Sequence, residues 1–351
     1  MNIYGMELNK RELLRYISSM TQIAGTRVIK YQNGRAGGVK AIDVKNGSGL
    51  NFTVLIDRGM DIADAEYCGI PVAWMSKNGI AGGSYFESEG NNFLRTFVGG
   101  LITTCGLTQV GEPCLDGEEK LGLHDRISHT PAEKYYTDGY WEDGDYILKV
   151  TGQVRESNIY AENLLLRREI LCKMGESKIY VNDVVENEGY NETPFMLMYH
   201  INFCFPVLSQ YSRLYSSAVK VEPLNEDAKK SQIPYDRFLE PSKGFRYECH
   251  RHFMPENSER VYAGLINEKT GIGAYVAYSP KQLPYFNEWK MTGEQDYVVG
   301  LEPGNALPEG RINARKSGRL AVLREEEKWE VNLEIGFLKN REEINGFLRN
   351  L

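Results

Sequence analysis

Apolar and polar residues alternate with a period of two along much of this chain, and this pattern strongly limits the folds it can adopt. In LNFTVLID (50–57) the residues that share one face of an extended strand are Leu50, Phe52, Val54 and Ile56. In KWEVNLEIGF (328–337) they are Trp329, Val331, Leu333, Ile335 and Phe337. Alternation of this kind is typical of half-buried antiparallel strands, so the sequence predicts a largely β protein.

Helical periodicity is confined to short segments near the two ends of the chain. Asn9 and Glu12 have the spacing of a capping box, and Asn340 with Glu343 repeats that spacing. The polar segment 225–244 has no clear period and is interpreted as a long loop or short helix rather than a domain boundary. The sequence therefore predicts only a few short helices.

The 351 residues are enough for a sizeable core, and turn signals such as KNGSG and WEDGD separate the extended segments. The chain contains no repeat of fixed period and no linker-like Pro or Ser run. We therefore predict one all-β domain of stacked antiparallel sheets over residues 1–351, in which 1–38 form an N-terminal helix and lead-in strands.

Charge and composition narrow the classes of partner. The formal net charge is −7, whereas a nucleic-acid binder needs an excess of basic residues to pair with phosphates, so no nucleic-acid partner is expected. The chain has neither an apolar run long enough to span a bilayer nor an N-terminal secretion signal, so no membrane partner is expected. Six scattered cysteines without a C-x-x-C pair are typical of reduced thiols in a cytoplasmic protein.

Cofactor motifs are missing from the sequence. No G-x-G-x-x-G follows a strand, and no phosphate-binding G-x-x-x-x-G-K-[ST] is present, so nucleotide-dependent chemistry has no support. Zinc-site spacing is also absent, although single histidines and carboxylates could still converge in space. We predict no cofactor and no metal.

Three ionisable residues interrupt apolar segments: His124 in LGLHDRISHTPA, His200 in PFMLMYHINFCFPV and Glu302 in DYVVGLEPG. Taken singly, His200 suits a buried histidine bonded to the backbone and Glu302 a carboxylate capping a turn, whereas His124 suits a surface loop and a functional residue equally well. Burying an unpaired polar group is costly, so each needs a partner or a changed charge state. Together, two imidazoles and one carboxylate suit concerted proton transfer near neutral pH.

The other three histidines have simpler interpretations. His129, next to Thr130–Pro131, is expected to be structural. His250 and His252 share one face of an extended segment and could form a metal pair. An exposed polar face is the favoured interpretation, because the nearby sequence offers no third ligand.

The chain resembles the aldose 1-epimerase, or galactose mutarotase-like, superfamily, and within it a poorly characterised bacterial branch. The resemblance runs from about Val39 to Phe337. The segments that carry it are LIDRGMDI (55–62), FVGGLITTCGL (97–107), LGLHDRISHTPA (121–132), MYHINF (198–203) and FNEWKMTGEQDYVVGLEPGNALPEGR (286–311). Each is weak alone, but their order and spacing together are fairly specific.

The resemblance implies a β-supersandwich of large antiparallel sheets whose concave face binds a sugar. In that superfamily a first histidine orients the sugar, a second protonates the ring oxygen, and a late glutamate takes the proton from the anomeric hydroxyl. These roles fall on His124, His200 and Glu302 respectively. The implied function is interconversion of sugar anomers by ring opening, with His200 and Glu302 catalytic.

Departures from the family pattern put the identity of the sugar in doubt. Asp125 replaces the glycine that usually follows the first histidine, and Ile201 replaces the proline after the second. The Asn-Arg-Ile motif that supplies a sugar-binding arginine is absent, and Arg126 is the candidate substitute.

Further residues are candidates for binding the substrate: Arg58, Asn287, Trp289 and Lys290. Arg58 is either a ligand-binding arginine or part of a structural ion pair, with the structural interpretation favoured. Arg95, Arg126 and Arg311 could instead recognise a phosphate or carboxylate on the sugar, which keeps anionic substrates open.

Two other functions remain open on the sequence alone. One is a metal-dependent sugar isomerase or epimerase, in which His124, His200, Glu302 and His129 hold a divalent ion. The other is a carbohydrate-binding protein without turnover, because fold alone does not fix function. The predicted partner in each case is a small sugar, and exposed sheet edges are compatible with a homodimer.

Overall fold

A computed structural model describes residues 1–351, except for the side chain of Asn2. Within that range the α-helices are few and short: α1 (Lys10–Leu13), α2 (Glu226–Lys230), α3 (Arg311–Lys316) and α4 (Arg341–Leu348). Single 3₁₀ turns occupy Met20–Gln22, Gly34–Ala36, Gly83–Tyr85, Asn92–Arg95 and Ile127–His129.

Strands make up most of the regular structure. In chain order they are β1 (Asn2–Ile3), β2 (Met6–Glu7), β3 (Gly25–Lys30), β4 (Lys40–Lys45), β5 (Leu50–Leu55), β6 (Asp61–Tyr67), β7 (Ile70–Pro71), β8 (Trp74–Met75), β9 (Gly99–Gly100), β10 (Ile102–Leu107), β11 (Cys114–Asp116), β12 (Glu119–Leu121) and β13 (Lys134–Glu142). The second half has β14 (Asp145–Ser157), β15 (Asn163–Lys173), β16 (Lys178–Asn187), β17 (Thr193–Phe203), β18 (Ser212–Ser216), β19 (Lys220–Pro223), β20 (Glu248–Phe253), β21 (Val261–Asn267), β22 (Ile272–Tyr278), β23 (Tyr285–Thr292), β24 (Tyr297–Gly304), β25 (Ala321–Leu323) and β26 (Lys328–Leu338).

Three sheets contain 20 of these 26 strands, and the other six form three two-stranded sheets. The first has the order β13-β14-β15-β16-β26-β22-β21-β18, and the second has β10-β17-β24-β23-β20-β19, with β25 also paired to β17. A third, smaller sheet runs from β3 to β7 in chain order. The pairings within them are antiparallel, so the predicted all-β fold of stacked antiparallel sheets is confirmed.

The period-two segments fold as the pattern predicts, because their apolar faces meet between the sheets. In β5 the side chains of Leu50, Phe52 and Val54 are buried, and a bulge between Thr53 and Val54 shifts the register. β26 contributes alternate residues to the same core, which is continuous with the inward faces of β10, β17 and β24. The core therefore lies between the sheets and leaves the opposite face of the second sheet free to carry a site.

The helix ends follow the sequence signals closely. Asn9 accepts the backbone N–H of Glu12 at 3.0 Å and Glu12 accepts that of Asn9 at 2.9 Å, which completes the predicted capping box. At α4, Asn340 accepts the N–H of Glu343, but the Glu343 carboxylate bonds the N–H of Lys339 instead. Segment 225–244 contains the short helix α2, as the sequence suggested.

A buried arginine joins the three sheets. Arg168 on β15 donates to both carboxylate oxygens of Asp183 on β16, and it also bonds Asp61 on β6 at 2.9 Å and the hydroxyl of Thr104 on β10 at 2.9 Å. The phenol of Tyr199, on β17, donates to Asp183 at 2.7 Å. Because all five side chains are buried, each charge is compensated by neighbours rather than by water.

Two further features concern the cysteines and the length of the helices. All six cysteines are free thiols in the part of the chain that the structure describes. No helix among the described residues is long and apolar enough to cross a membrane.

Replacing Arg168 by methionine is expected to destabilise the protein by about 3–5 kcal/mol, since it leaves Asp61 and Asp183 as uncompensated buried charges. The matched control is Arg167→Met, whose partners Glu186 and Glu188 are partly exposed, and which should cost only about 0–1 kcal/mol. Urea unfolding followed by circular dichroism measures both. Equal losses for the two variants would show that the network does not stabilise the fold.

Candidate functional site

A cavity of about 630 Å³ opens on the face of the second sheet that points away from the core, a size typical of small-molecule sites. Its lining residues come from nine separate segments of the chain, between Asn91 and Asn313. The side chains at its centre are those of His124, His200, Glu302, Phe93, Phe97 and Trp289.

Strand pairing brings His200 and Glu302 together. Ile201 on β17 pairs with Leu301 on β24, so in these antiparallel strands the preceding His200 stands opposite the following Glu302. Nε2 of His200 lies 3.0 Å from Oε1 of Glu302, and the two residues are 5% and 3% exposed. Two ionisable groups 102 positions apart in the chain thus share one short contact on the cavity floor.

His124 reaches the cavity from a loop in a strained conformation. Its φ is +57° and that of Asp125 is +58°, both in the left-handed region that non-glycine residues rarely occupy. The ring Nδ1 accepts the N–H of Gly111 at 3.2 Å, which assigns the ring proton to Nε2. The His124 ring centroid lies 6.1 Å from that of His200, so this imidazole can donate to a ligand beside the pair.

Asp125 stabilises this unusual turn. Its buried carboxylate accepts the Thr108 hydroxyl at 2.7 Å and Nε of Arg126 at 3.1 Å. Aspartate is among the residues that tolerate left-handed backbone. The residue that replaces the family's usual glycine therefore keeps the glycine-like conformation and fixes it with side-chain bonds.

Burial sets the charge states of the central residues, because it disfavours the ionised form. It lowers the pKa of His200 to about 4, and together with the charge of His200 it lowers the pKa of His124 to about 3. Burial also raises the pKa of Glu302 well above its ordinary range, and the Glu288 carboxylate behind the sheet raises it further. Burial therefore favours the neutral imidazole of His200 and stabilises the protonated form of the Glu302 carboxyl beside it.

Aromatic rings surround this pair. The rings of Phe97 and Trp289 each lie 5.2 Å from the imidazole of His200, and Phe93 lies 5.3 Å from that of His124. These walls limit access of water to the pair. They also offer apolar faces on which a ring-shaped ligand with polar edges can pack.

Strand alternation separates the predicted binding residues of β23. Trp289 lines the cavity. Asn287 shares that face and pairs with Glu302, but it lies below the lining, where its Nδ2 contacts Sδ of Met198 at 3.9 Å. Lys290 points to the opposite face and forms a buried ion pair with Glu248 at 3.0 Å, so the expectation that it lines the site is wrong.

Arg58 and Arg126 also lie outside the cavity lining. Arg58 is 2% exposed and donates to the carbonyl oxygens of Ser128, Ala81 and Thr96, which identifies it as structural and corrects its assignment to substrate binding. Arg126 pairs with Asp125, and its half-exposed side chain is no substitute for a sugar-binding arginine in this cavity.

The other two arginines considered for anion recognition are also engaged elsewhere. Arg311 is ion-paired with Asp116 and Glu119, and Nε of Arg95 bonds Asn92 at 3.3 Å. Neither lines the cavity. The structure thus brings none of the predicted anion-binding groups to the site.

The remaining histidines are held in the interior. His129 bonds the hydroxyls of Thr96 and Ser128 at 2.9 and 3.1 Å, so both ring nitrogens have partners. His250 and His252 do share one face of β20, but they are buried against Glu288 at 3.6 and 3.3 Å, and the expected exposed polar face is wrong. Among the described side chains, no group of three or more His, Cys, Asp or Glu residues could hold a metal ion.

The sequence did not identify Gly300, which borders the pair formed by His200 and Glu302. A Cβ there would lie 2.9 Å from Oε1 of Glu302 and 3.0 Å from Cε1 of His200. A glycine inside the apolar strand VVGLEPG was the available signal, since such glycines often mark close approaches. Phe93 and Phe97 gave no comparable signal, because they belong to an irregular segment.

Comparisons with known proteins place the chain in a family and a fold. A family model described as "Domain of unknown function (DUF4432)" matches residues 36–337. No curated protein matches the chain in sequence.

Solved structures share the architecture at low sequence identity. A protein from Klebsiella pneumoniae subsp. pneumoniae MGH 78578, provisionally named an aldose 1-epimerase, has a TM-score of 0.88 at 21% identity, covering 97% of this chain and 89% of its own. A galactose mutarotase-like protein from Clostridium acetobutylicum has a TM-score of 0.61 at 12% identity, covering 90% and 99%. Galactose 1-epimerase from Lactobacillus acidophilus NCFM has 0.60 at 14%, covering 91% and 100%. The chain therefore has the galactose mutarotase-like fold.

Gly300→Ala is expected to push the His200 imidazole and the Glu302 carboxyl apart, because the added methyl group meets both. The change should appear as shifted His200 signals in NMR spectra of the side chains, with the fold retained. The control is Gly25→Ala on β3, where a Cβ meets nothing closer than 3.8 Å. Unchanged His200 signals in the Gly300 variant would contradict this geometry.

Proposed function

This chain belongs to the DUF4432 family, and we propose that it interconverts the anomers of a sugar by acid–base opening and closure of the sugar ring. The observation that carries the proposal is the 3.0 Å contact between His200 and Glu302 on the floor of an aromatic cavity. The names of several proteins that share its fold, among them the galactose 1-epimerase, supply the reaction class.

The reaction needs one group to remove a proton and a neighbouring group to deliver one. At the anomeric carbon the hydroxyl and the ring oxygen are bonded to the same atom, so an adjacent acid and base can serve both. In the reactive form Glu302 is a carboxylate and His200 an imidazolium, which the neutral pair reaches by moving one proton along the Nε2–Oε1 contact.

Ring opening then proceeds in one concerted step. Glu302 accepts the proton of the anomeric hydroxyl while His200 gives its proton to the ring oxygen, and the bond between that oxygen and the anomeric carbon breaks. After rotation about the C1–C2 bond the carbonyl is attacked from its other face, and both protons return. Each residue ends the cycle in the protonation state in which it began, so the pair can act on the next sugar.

His124 and Trp289 position the sugar in this proposal. Nε2–H of His124 donates to a sugar hydroxyl, because Nδ1 is already occupied by the N–H of Gly111. The indole of Trp289 packs against the C–H face of the sugar, next to the His200 ring. Correct orientation matters because proton transfer requires hydrogen-bond distances between the reacting atoms.

Magnetisation transfer between the α- and β-anomer signals of a panel of sugars tests the activity. The parent protein should accelerate exchange of at least one sugar, and Glu302→Gln or His200→Asn should lower the rate by about 10²–10⁴-fold. The control Glu294→Gln, at an exposed turn before β24, should exchange like the parent. A parent protein that binds sugars but leaves every one at the buffer rate would contradict catalysis and indicate a binding protein.

The pH dependence of exchange should be bell-shaped. Below about pH 4, where burial has placed the pKa of His200, the pair gains a second proton and Glu302 cannot act as a base. The alkaline limb reflects loss of the proton shared by His200 and Glu302. Because the pKa of Glu302 is raised, the midpoint of this limb should lie above the ordinary carboxyl pKa of 4.5. Initial rates of anomer exchange across pH measure both limbs. A rate that keeps rising as the pH falls through 4 would contradict the assignment.

A further inference from the structure

We propose that the cavity selects sugars without a negative charge, and that Glu112 on its rim excludes phosphorylated and acidic sugars. This inference rests on the proposed function and names the substrate class of the same site. Its basis is the set of charges that the described residues place around the cavity.

The described lining contains three glutamates and neither lysine nor arginine. Glu302 lies against His200, with 3.0 Å between Oε1 and Nε2, and Glu309 is neutralised by three bonds from Arg319 at 2.7, 2.8 and 3.2 Å. Glu112 is exposed and has no ion-pair partner among the described residues. The charge that remains on the lining is therefore negative.

Glu112 lines the cavity together with Tyr247 and Cys249. Burial raises the pKa of Cys249, and the charges of Glu302, Glu288 and then Glu112 raise it further; the pKa of Tyr247 is raised by burial, then by Cys249 and then by Glu112. The negative field at the wall formed by β20 and the residues before it therefore includes a contribution from Glu112. A phosphate or carboxylate on a bound sugar would meet this field without a compensating cation.

The nearby cations are unavailable because each has another partner. Arg311 and Arg126 are paired with Asp116 and Asp125, and Lys290 lies behind the sheet against Glu248. Anion sites in proteins are built from such side chains or from helix N-termini aimed at the ligand. A cavity with aromatic walls, imidazoles and an unpaired carboxylate instead suits hydroxyl groups, and tolerates an ammonium group.

The test compares glucose, glucosamine, glucose 6-phosphate and glucuronate, using anomer exchange together with saturation-transfer NMR of binding. The two neutral or cationic sugars should have kcat/KM at least about tenfold above the two anions, as expected for like charges in a partly screened site. Raising the salt concentration should narrow this difference. Equal or better use of either anion would overturn the inference while leaving anomer exchange, and so the proposed function, in place.

Charge reversal identifies the residue responsible. Glu112→Lys should raise kcat/KM for glucose 6-phosphate relative to glucose by about tenfold or more, with Glu112→Gln intermediate. The control Glu118→Lys makes the same change in net charge on an exposed turn outside the lining, and should leave the ratio as in the parent. An equal shift in both lysine variants would overturn the role of Glu112.

The binding measurement distinguishes failure of the proposed function from failure of the inference about sugar charge. If none of the four sugars exchanges faster than in buffer, the proposed function fails for this panel, and the binding measurement decides the inference alone. Preferential binding of glucose or glucosamine would then still support it. Preferential binding of an anion, or binding of none of the four, would overturn it.

Discussion

The buried charge of Arg168 holds strands of three sheets together through its bonds to Asp183, Asp61 and Thr104. Its bonds to Asp183 and Asp61 connect strands of two different sheets, and Thr104 with Tyr199 links the sheet that bears the candidate site. A buried cation loses its hydration, so the surrounding acceptors must be held in place. The five groups therefore link strands of all three sheets through directional hydrogen bonds.

This network also accounts for the fixed position of His200, which lies on the other face of β17. Tyr199 and His200 are neighbours on β17 and point to opposite faces, so anchoring the phenol to Asp183 fixes the backbone that carries the imidazole. Glu302 then faces His200 through strand register alone. Because both groups are buried, a neutral pair with one shared proton is the arrangement that avoids an isolated charge, and such a pair is suited to proton transfer.

Much of the fold could be predicted from the sequence, because period-two alternation directly reflects which side chains face the core. The same rule, applied to β23, would have separated Lys290 from Trp289, since residues one apart point to opposite faces. Arg58 could not be placed from its neighbours, because its three acceptors are backbone carbonyls from distant loops. The single domain, the roles of His124, His200 and Glu302, and the sugar itself remain predictions.

The loop at His124 shows why local sequence rules fail where a site is built. Two successive non-glycine residues in left-handed conformation are unfavourable by themselves, and typically persist only where surrounding contacts hold them. Here the N–H of Gly111 bonds the ring of His124, and Thr108 and Arg126 bond the carboxylate of Asp125. Two of these groups, Gly111 and Thr108, lie 13 and 17 positions from their partners in the sequence. The turn held in this way places the imidazole of His124 with its ring centroid 6.1 Å from that of His200.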